Sequence, residues 1–161
     1  MRILCAIGIR RGVELVRRVS SFTRPGDELV LVHVLDVGPR HDLNHLGGTL
    51  SPHHHQHHEL NEAEQEAGKA TLQEATEEAK RIGVPVITRL ERGRAEQVIV
   101  ELARDPTVGA VALLAREMPH GHPLQGPPSM GHTARFVVDH APVDVLVFRE
   151  RPLKEAHEES F

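Results

Sequence analysis

Aromatic side chains are nearly missing from this sequence, which has no tryptophan, no tyrosine and four phenylalanines among its 161 residues. Proteins that bind single-stranded nucleic acids stack the bases on such rings, and nucleic-acid binders in general carry a basic face. The formal net charge here is −4. We therefore expect no nucleic acid among the partners of this chain.

Cysteine and long apolar runs are equally scarce. The single cysteine, Cys5, lies inside a short apolar run, so an internal disulfide is excluded and a buried thiol in a reducing compartment is expected. No apolar run approaches the roughly 20 residues that a helix needs to span a bilayer, and the apolar stretch at 1–9 is too short for a signal peptide. These features predict a cytoplasmic protein that makes no membrane contact.

The size of the chain and its balance of residue types predict one folded unit. Hydrophobic residues make up 39% of the sequence and charged residues 26%, as in ordinary soluble proteins, and the length is that of a single domain. We expect residues 1–150 to form this domain and the charged segment 151–161 to be a C-terminal tail.

Short apolar segments alternate along the chain with segments of helical spacing. The former predict strands, and the latter, where apolar residues recur every three or four positions, predict helices. The predicted strands are 2–9, 28–37, 84–90, 109–115 and 144–149, and the predicted helices are 11–24, 59–82, about 95–102 and 131–141. This alternation predicts a parallel sheet with helices on both faces. Its ligand site is expected beyond the carboxyl ends of the strands, in the loops near 8–11 and 117–133.

The residue patterns also predict how some elements pack. In the first helix, Phe22 is expected on the buried face together with Leu15 and Val19. Pro85 near the start of the third strand is typical of an edge strand. In the second helix, small apolar residues predict the packed face, and they are Ala63, Ala67, Ala70, Ala75, Ala79 and Ile82.

Three segments, taken in their order along the chain, resemble the universal stress protein family. They are LVLVHVLD at 29–36, RLERGRAEQVIVELARD at 89–105 and GHTARFVVDHAPVDVLVF at 131–148. The resemblance implies an α/β fold with five parallel strands in the order 3-2-1-4-5, the adenine-nucleotide alpha-hydrolase-like architecture. It also implies a non-enzymatic stress-response or signalling domain that forms a homodimer through its last strand, Asp144 to Arg149, at an open sheet edge.

ATP-binding members of this family carry the pattern Gly-x2-Gly-x9-Gly followed by serine or threonine. Gly121 and Gly131 match the second spacing of that pattern. Met118 stands where its first glycine is expected, and His132 stands where its hydroxyl residue is expected, with Thr133 one position later. The resemblance therefore implies ATP or another adenine nucleotide as a ligand whose binding is weak, altered or lost. Read without the family, the two glycines are equally compatible with plain loop turns.

Other positions of the implied nucleotide site come from the strand ends. The resemblance implies an aspartate near the adenosine at the end of the first strand, where this chain has Gly8 followed by Ile9. Val34 matches a position whose backbone contacts adenine, and His120 matches a position that is often basic. An anion other than ATP is an alternative ligand at this mouth, as is a merely solvated basic loop, because several basic residues surround it. They are Arg10, Arg11, Arg116, His120, His122 and His132.

Histidine is unusually frequent, with 13 residues, and the segment 53–58 reads His-His-His-Gln-His-His. Imidazole is a common ligand of zinc, nickel and copper. In a helix, His53 and His57 lie one turn apart, as do His54 and His58, so either pair can chelate a divalent metal. This pattern predicts metal binding through a His-rich insertion at about 38–58 as an alternative function. The other interpretation is a polar loop that binds metals opportunistically or responds to pH.

No nucleophile elbow, complete phosphate loop or metalloprotease helix occurs in the sequence. The chain is therefore not expected to be an enzyme, and a weak ATPase is the second alternative to a binding function. His33, which lies between two valines of the second strand, is predicted to be a packed core residue and not a base.

Overall fold

The structure, a computed structural model, describes residues 1–36, 54–115 and 129–149, and for 54–60 it describes the backbone. The strands are β1 (Arg2–Ala6), β2 (Glu28–Asp36), β3 (Val86–Gly93), β4 (Val108–Leu114) and β5 (Asp144–Phe148). The helices are α1 (Gly12–Ser20), α2 (His54–Ile82), α3 (Ala95–Leu102) and α4 (His132–His140). The predicted tail and most of the predicted insertion lie outside these ranges, so the domain boundary stays a prediction.

The strands form one parallel sheet in the order β3-β2-β1-β4-β5. The fold class predicted from the sequence is therefore confirmed, including its strand order. Leu4 of β1 pairs with Val30 on one side and Val111 on the other. The chain thus builds outward from β1 in one direction and later resumes at β4 in the other, which makes the β1–β4 boundary the switch point of the sheet.

Two apolar layers cover the two faces of the sheet. Ile3, Cys5 and Ile7 point to one face, where α1 and α2 pack on them. Leu4 and Val32 point to the other face, where α3 and α4 pack. This division follows from the alternation of side chains along a strand, and strands buried on both faces give the continuous apolar runs seen in the sequence.

Helix α2 differs from its prediction at its start and on its packed face. It begins at His54, before the predicted start at residue 59. Ala63, Ala70 and Ile82 are exposed, whereas Ala75 and Ala79 are buried, so the predicted packed face is wrong in its first half and at its last residue. Between residues 61 and 82, where side chains are described, the buried positions of the helix are Gly68, Thr71, Leu72, Ala75, Glu78 and Ala79. Their spacing has the helical period, but the set mixes glycine and polar residues that an apolar pattern does not select.

The prediction for Phe22 was also wrong. Helix α1 ends at Ser20, so Phe22 lies beyond it and is 55% exposed. Its ring instead lies 5.6 Å from the ring of Phe148, centroid to centroid. The predicted burial of Leu15 and Val19 is confirmed.

Strand boundaries shift by a few residues from their predictions. Strand β1 ends at Ala6, because the residues after it form the turn into α1. Strand β3 runs on to Gly93 along the end of β2, and it is an edge strand, as Pro85 predicts. Among the described helices, none combines the length and the apolarity that crossing a membrane requires.

A buried carboxylate ties α1 to α2. Glu78 has a side chain 8% exposed and accepts hydrogen bonds from Arg81 at 2.6 Å and from Arg17 at 2.7 Å. These two guanidinium groups, Arg81 first, lower the pKa of Glu78 to about 2. The carboxylate therefore stays charged in the folded protein over the whole neutral range.

Candidate functional site

A cavity of about 510 Å³ opens at the carboxyl ends of β1, β2 and β4. Its volume falls in the range of roughly 300–1,000 Å³ that is typical of small-molecule sites. It lies at the switch point of the sheet, where parallel α/β proteins bind their ligands. The residues that line it are Ala6, Ile7, Gly8, Ile9, Arg10, Arg11, Val32, His33, Val34, Ala95, Ile99, Leu113, Leu114, Ala115 and Thr133.

The turn between β1 and α1 forms one wall of the cavity and is held by two side chains from outside it. The Nδ1 atom of His33 lies 2.8 Å from the carbonyl oxygen of Ile7, and because a carbonyl only accepts, Nδ1 carries the proton. The Thr71 hydroxyl lies 3.2 Å from the carbonyl oxygen of Gly8 and 3.3 Å from that of Ile9. Three consecutive carbonyl groups of the turn are thus directed to hydrogen-bond donors on β2 and α2.

A close approach of α2 to β2 keeps His33 in place. A Cβ atom added at Gly68 would lie 2.7 Å from Cδ2 of His33 and 3.2 Å from its Nε2. The imidazole is 5% exposed and packs directly on the helix backbone. Because any larger residue at position 68 would push into the ring, glycine is required here for packing and not for its backbone freedom.

The first turn of α4 forms the opposite wall. Gly131 precedes the helix with a φ angle of 91°, in the region that favours glycine, and no side chain among the described residues caps the helix start. The Gly131 amide donates to the Ser129 hydroxyl at 3.2 Å. Thr133 lines the cavity, and the N–H groups of this first turn have no acceptor within the helix. The turn therefore presents hydrogen-bond donors and the positive end of the helix dipole.

His132 lies beside Thr133 but outside the cavity wall. Its Nε2 atom is 3.6 Å from a carboxylate oxygen of Glu96, and its side chain is 79% exposed. Glu96 is in the first turn of α3 and is largely covered. This contact links the starts of α3 and α4 and gives His132 a partner outside the cavity.

The two arginines of the β1–α1 turn, Arg10 and Arg11, differ in their ion pairing. Arg11 donates two hydrogen bonds to Glu14, at 2.8 and 2.9 Å, and these bonds lower the pKa of the Glu14 carboxyl. Its remaining nitrogen reaches toward the carbonyl of Ala115, at 3.5 Å, at the end of β4. Arg10 is exposed at the cavity wall and forms no ion pair with any residue that the structure describes.

The structure brings some of the predicted nucleotide-site residues together and does not describe the others. Gly8, Ile9, Val34 and Thr133 share the cavity wall, and Gly131 starts the helix that carries Thr133. A Cβ atom added at Gly8 meets no described residue within 4 Å, so none of these residues forbids a side chain there. Three further predicted residues, Met118, His120 and Gly121, lie outside the described residues, and their roles stay predictions.

Two residues of the cavity wall, and one residue that supports it from outside, could not be predicted from the sequence. Thr71 is distant along the chain, 63 residues from the Gly8 carbonyl it binds, and sits in a polar helix without any local signal. Ala95 and Ile99 of α3 form the cavity side wall, but they read in the sequence as ordinary packing residues. Their helical spacing and the position of α3 after β3 were the only signs that could have placed them here.

The histidine segment is described only in part. Helix α2 begins at His54, so positions 54 and 58 are separated by one helical turn, and His57 lies between them. His53 lies outside the described residues. Among the side chains that the structure describes, no group of three or more potential metal ligands occurs.

Comparison with known proteins identifies the architecture. The sequence model of the Universal stress protein family matches residues 1–149. Comparison with curated proteins gives no match.

Similar solved structures cover almost the whole chain. The universal stress protein UspA from Lactobacillus plantarum is 23% identical, covers 92% of this chain and 97% of its own, and has a TM-score of 0.66. A universal stress protein from Archaeoglobus fulgidus is 20% identical, with 91% and 97% covered and a TM-score of 0.65. A universal stress protein family protein from Arabidopsis thaliana with AMP bound is 17% identical, with 94% and 92% covered and a TM-score of 0.60. At these identities the likeness establishes the fold alone.

Proposed function

The chain belongs to the universal stress protein family, and from that premise we propose that it is a non-enzymatic stress-response or signalling domain whose switch-point cavity binds an adenine nucleotide weakly. The observation that carries the proposal is the cavity itself, which joins the first turn of α4 to the open position at Gly8. The structure of the similar Arabidopsis protein has AMP bound, which supports this class of ligand.

The start of α4 supports binding of the nucleotide phosphates. Uncapped N–H groups and the helix dipole favour an anion at a helix N-terminus. Gly131 lets the backbone turn sharply into the helix, and Thr133 places a hydroxyl group in the cavity wall. We expect Thr133 to serve as the hydroxyl donor in place of the residue at position 132, whose side chain pairs with Glu96.

The absence of a side chain at Gly8 is the reason to expect weak binding. A carboxylate at this wall would accept charge-assisted hydrogen bonds from the ribose hydroxyls, each worth about 1.5–3 kcal/mol. Losing one such bond weakens binding by roughly 10- to 150-fold. The rest of the described wall is mainly aliphatic and supplies contact area without that specificity.

The described part of the wall favours binding over bond cleavage. The Nδ1 atom of His33 donates to the Ile7 carbonyl and the ring packs on Gly68, so the imidazole has a structural role and is not positioned as a catalytic base. No base among the described residues is hydrogen-bonded to Thr133, which a nucleophilic role would need. These features support a non-enzymatic role for the cavity.

The proposal is tested by calorimetric titration of ATP into the parent chain and into Gly8→Asp. The open space at Gly8 accepts the new side chain, and we expect the variant to bind ATP at least about tenfold more tightly. Gly8→Asn is the matched control, since it adds nearly the same volume without the charge and should gain less. Absence of ATP binding by all three proteins would overturn the proposal.

Metal binding at the start of α2 is the second candidate function. It is favoured by one observation, the helical start at His54, which sets positions 54 and 58 one turn apart. Titration of Ni²⁺ into the parent and into a His54→Ala, His58→Ala double variant tests it. A site of one ion per chain that the double variant loses supports this function. Binding that persists in it, or a stoichiometry that varies with buffer, rules the site out. His140→Ala is the control, because His140 is exposed on α4.

We further propose a cytoplasmic homodimer that forms through β5. This strand is at the sheet edge, and Phe148 directs its carbonyl to β4, where the Ala115 amide donates to it at 2.8 Å. Because residues along a parallel strand direct their N–H and C=O groups alternately to the two sides, Val145 and Val147 present theirs to the open edge. No described residue pairs with these groups, and they are a template for a second copy of the strand.

A further inference from the structure

The peptide groups of the β1–α1 turn share one orientation. The carbonyl oxygen of Ile7 accepts a hydrogen bond from His33, and the carbonyl oxygens of Gly8 and Ile9 share the single hydroxyl proton of Thr71. His33 and Thr71 both belong to the side of the sheet that α2 covers, since His33 packs on Gly68 of that helix. All three carbonyl groups therefore point toward α2.

The N–H groups of the same peptides point the other way. In a planar trans peptide, the C=O of one residue and the N–H of the next are directed oppositely. The amides of Gly8, Ile9 and Arg10 are thus directed away from α2. The cavity extends to that other side, because residues of α3 and α4, such as Ala95 and Thr133, line it together with the ends of β2 and β4. Three consecutive backbone donors face the cavity.

The side-chain charge at this wall is positive, like the N–H ends of the peptide groups that face the cavity. Gly8 contributes no carboxylate, and Arg10 forms no ion pair with the described residues. Consecutive backbone N–H groups with a positive charge beside them form a concave anion site. The wall therefore offers donors and no acceptor side chain to the part of the ligand that it meets.

We propose that this wall binds a phosphate carried on the ribose, so that the preferred ligand is an adenosine with phosphates at both its 5′ and its 3′ or 2′ positions. The inference rests on the proposed function, in which the 5′-phosphate occupies the start of α4 and the nucleoside meets the β1–α1 turn. The logic is the one by which dinucleotide-binding sheets use an acidic residue for a free ribose hydroxyl and an arginine for a ribose phosphate. In this chain, Gly8 stands at the position where the family resemblance implies an acidic residue, and Arg10 is the arginine beside it.

Thr71 is a positioning residue in this scheme. Thr71 is 5% exposed. Its hydroxyl group orients two of the three peptide planes and does not itself face the ligand. Removing the hydroxyl frees these planes to rotate, which would misalign the donors without changing any side chain of the wall.

The first test compares ligands of equal composition. Adenosine 3′,5′-bisphosphate, adenosine 2′,5′-bisphosphate and ADP each carry two phosphates, so a difference between them reports phosphate position and not the number of phosphate groups. We expect one of the two bisphosphates to bind at least about tenfold more tightly than ADP, and Arg10→Gln to remove most of that preference. ADP binding as tightly as both bisphosphates would overturn the inference while leaving the proposed function intact. Absence of binding by every nucleotide, AMP and ATP included, would overturn both.

The second test addresses Thr71. Thr71→Val should abolish the preference and shift the backbone amide signals of Gly8, Ile9 and Arg10 in a ¹⁵N spectrum of the unliganded protein. Thr71→Ser, which keeps the hydroxyl, should restore both. Thr76→Val is the matched control, because the Thr76 hydroxyl bonds to Leu72 within the same helix at 2.7 Å and touches no part of the turn. Unchanged amide signals and an unchanged preference in Thr71→Val, with cooperative thermal unfolding retained, would refute the positioning role.

Discussion

Replacing Gly68 by alanine sets two opposing effects against each other. Alanine in a helix interior is favoured over glycine by about 1 kcal/mol, so local propensity alone predicts a more stable protein. The added Cβ atom, however, would lie 2.7 Å from Cδ2 of His33 and 3.1 Å from Cδ1 of Leu90. The leucine methyl is the end of a flexible side chain, but the buried imidazole is fixed by its hydrogen bond to Ile7.

The steric effect should exceed the gain in propensity. Overpacking costs about 1–3 kcal/mol, and displacement of His33 also sacrifices a hydrogen bond worth about 1 kcal/mol. After the helical gain of about 1 kcal/mol, Gly68→Ala should destabilise the protein by about 1–3 kcal/mol. The melting temperature should fall by about 2–4 °C for each kcal/mol.

Chemical denaturation of four proteins measures this balance. They are the parent, Gly68→Ala, His33→Ala and the double variant, arranged as a double-mutant cycle. With the imidazole removed, the same glycine replacement should become stabilising, because only the helical gain is left. Ala70→Gly, at an exposed position of α2, calibrates that gain. A Gly68→Ala protein that is more stable than the parent by about 1 kcal/mol would refute the packing argument.

Three further predictions concern charge, the thiol and the sheet edge. Arg81 and Arg17 lower the pKa of Glu78 from 4.5 to about 2, so this carboxylate contributes stability above pH 4.5 that is lost as the pH falls toward 2. Between these two pH values, the melting temperature of Glu78→Gln should therefore depend less on pH than that of the parent. An equal pH dependence in the two proteins would contradict the ion-pair account. Burial raises the pKa of the Cys5 thiol to about 12. A thiol reagent at pH 8 should therefore react with the unfolded protein but not with the native protein. Rapid stoichiometric labelling of the native protein would contradict a buried thiol. Val147→Pro removes a donor from the open edge of β5, and analytical ultracentrifugation should show that it converts the proposed dimer to a folded monomer. Leu146→Pro, which removes a donor to β4, should instead unfold the chain. A Val147→Pro dimer with an unchanged dissociation constant would refute pairing through this strand.

The order of the elements could be predicted because the three inner strands, β1, β2 and β4, are buried on both faces. The continuous apolar run around Leu4 and the one around Val30 have no polar alternation, and in α/β proteins such runs come from central parallel strands. Together with the family resemblance, this gave the sheet order that the structure shows. It also placed the cavity, since the topology of a parallel sheet determines where its ligand site lies.

The contacts that shape the cavity could not be predicted from local pattern. Thr71 reaches the β1–α1 turn from a helix far along the chain, and Gly68 is required by a ring on another strand. Phe22 was assigned to the wrong face because helical spacing continues past Ser20, where the helix ends. For Thr71 and Gly68 the deciding interaction joins segments that are distant in sequence, and apolar periodicity carries no information about such pairs.

A ¹⁵N-labelled sample titrated with ATP tests the central claim most directly, because it locates the ligand while measuring its affinity. Binding in the switch-point cavity predicts concentration-dependent shifts of the amides of Gly8, Val34 and Thr133, with the amides of the β3 edge, such as Thr88, unchanged. Weak binding predicts that these shifts saturate only at high nucleotide concentration, and that Gly8→Asp saturates earlier. Shifts confined to other parts of the chain, or none at millimolar ATP, would contradict the assignment of this cavity as the nucleotide site.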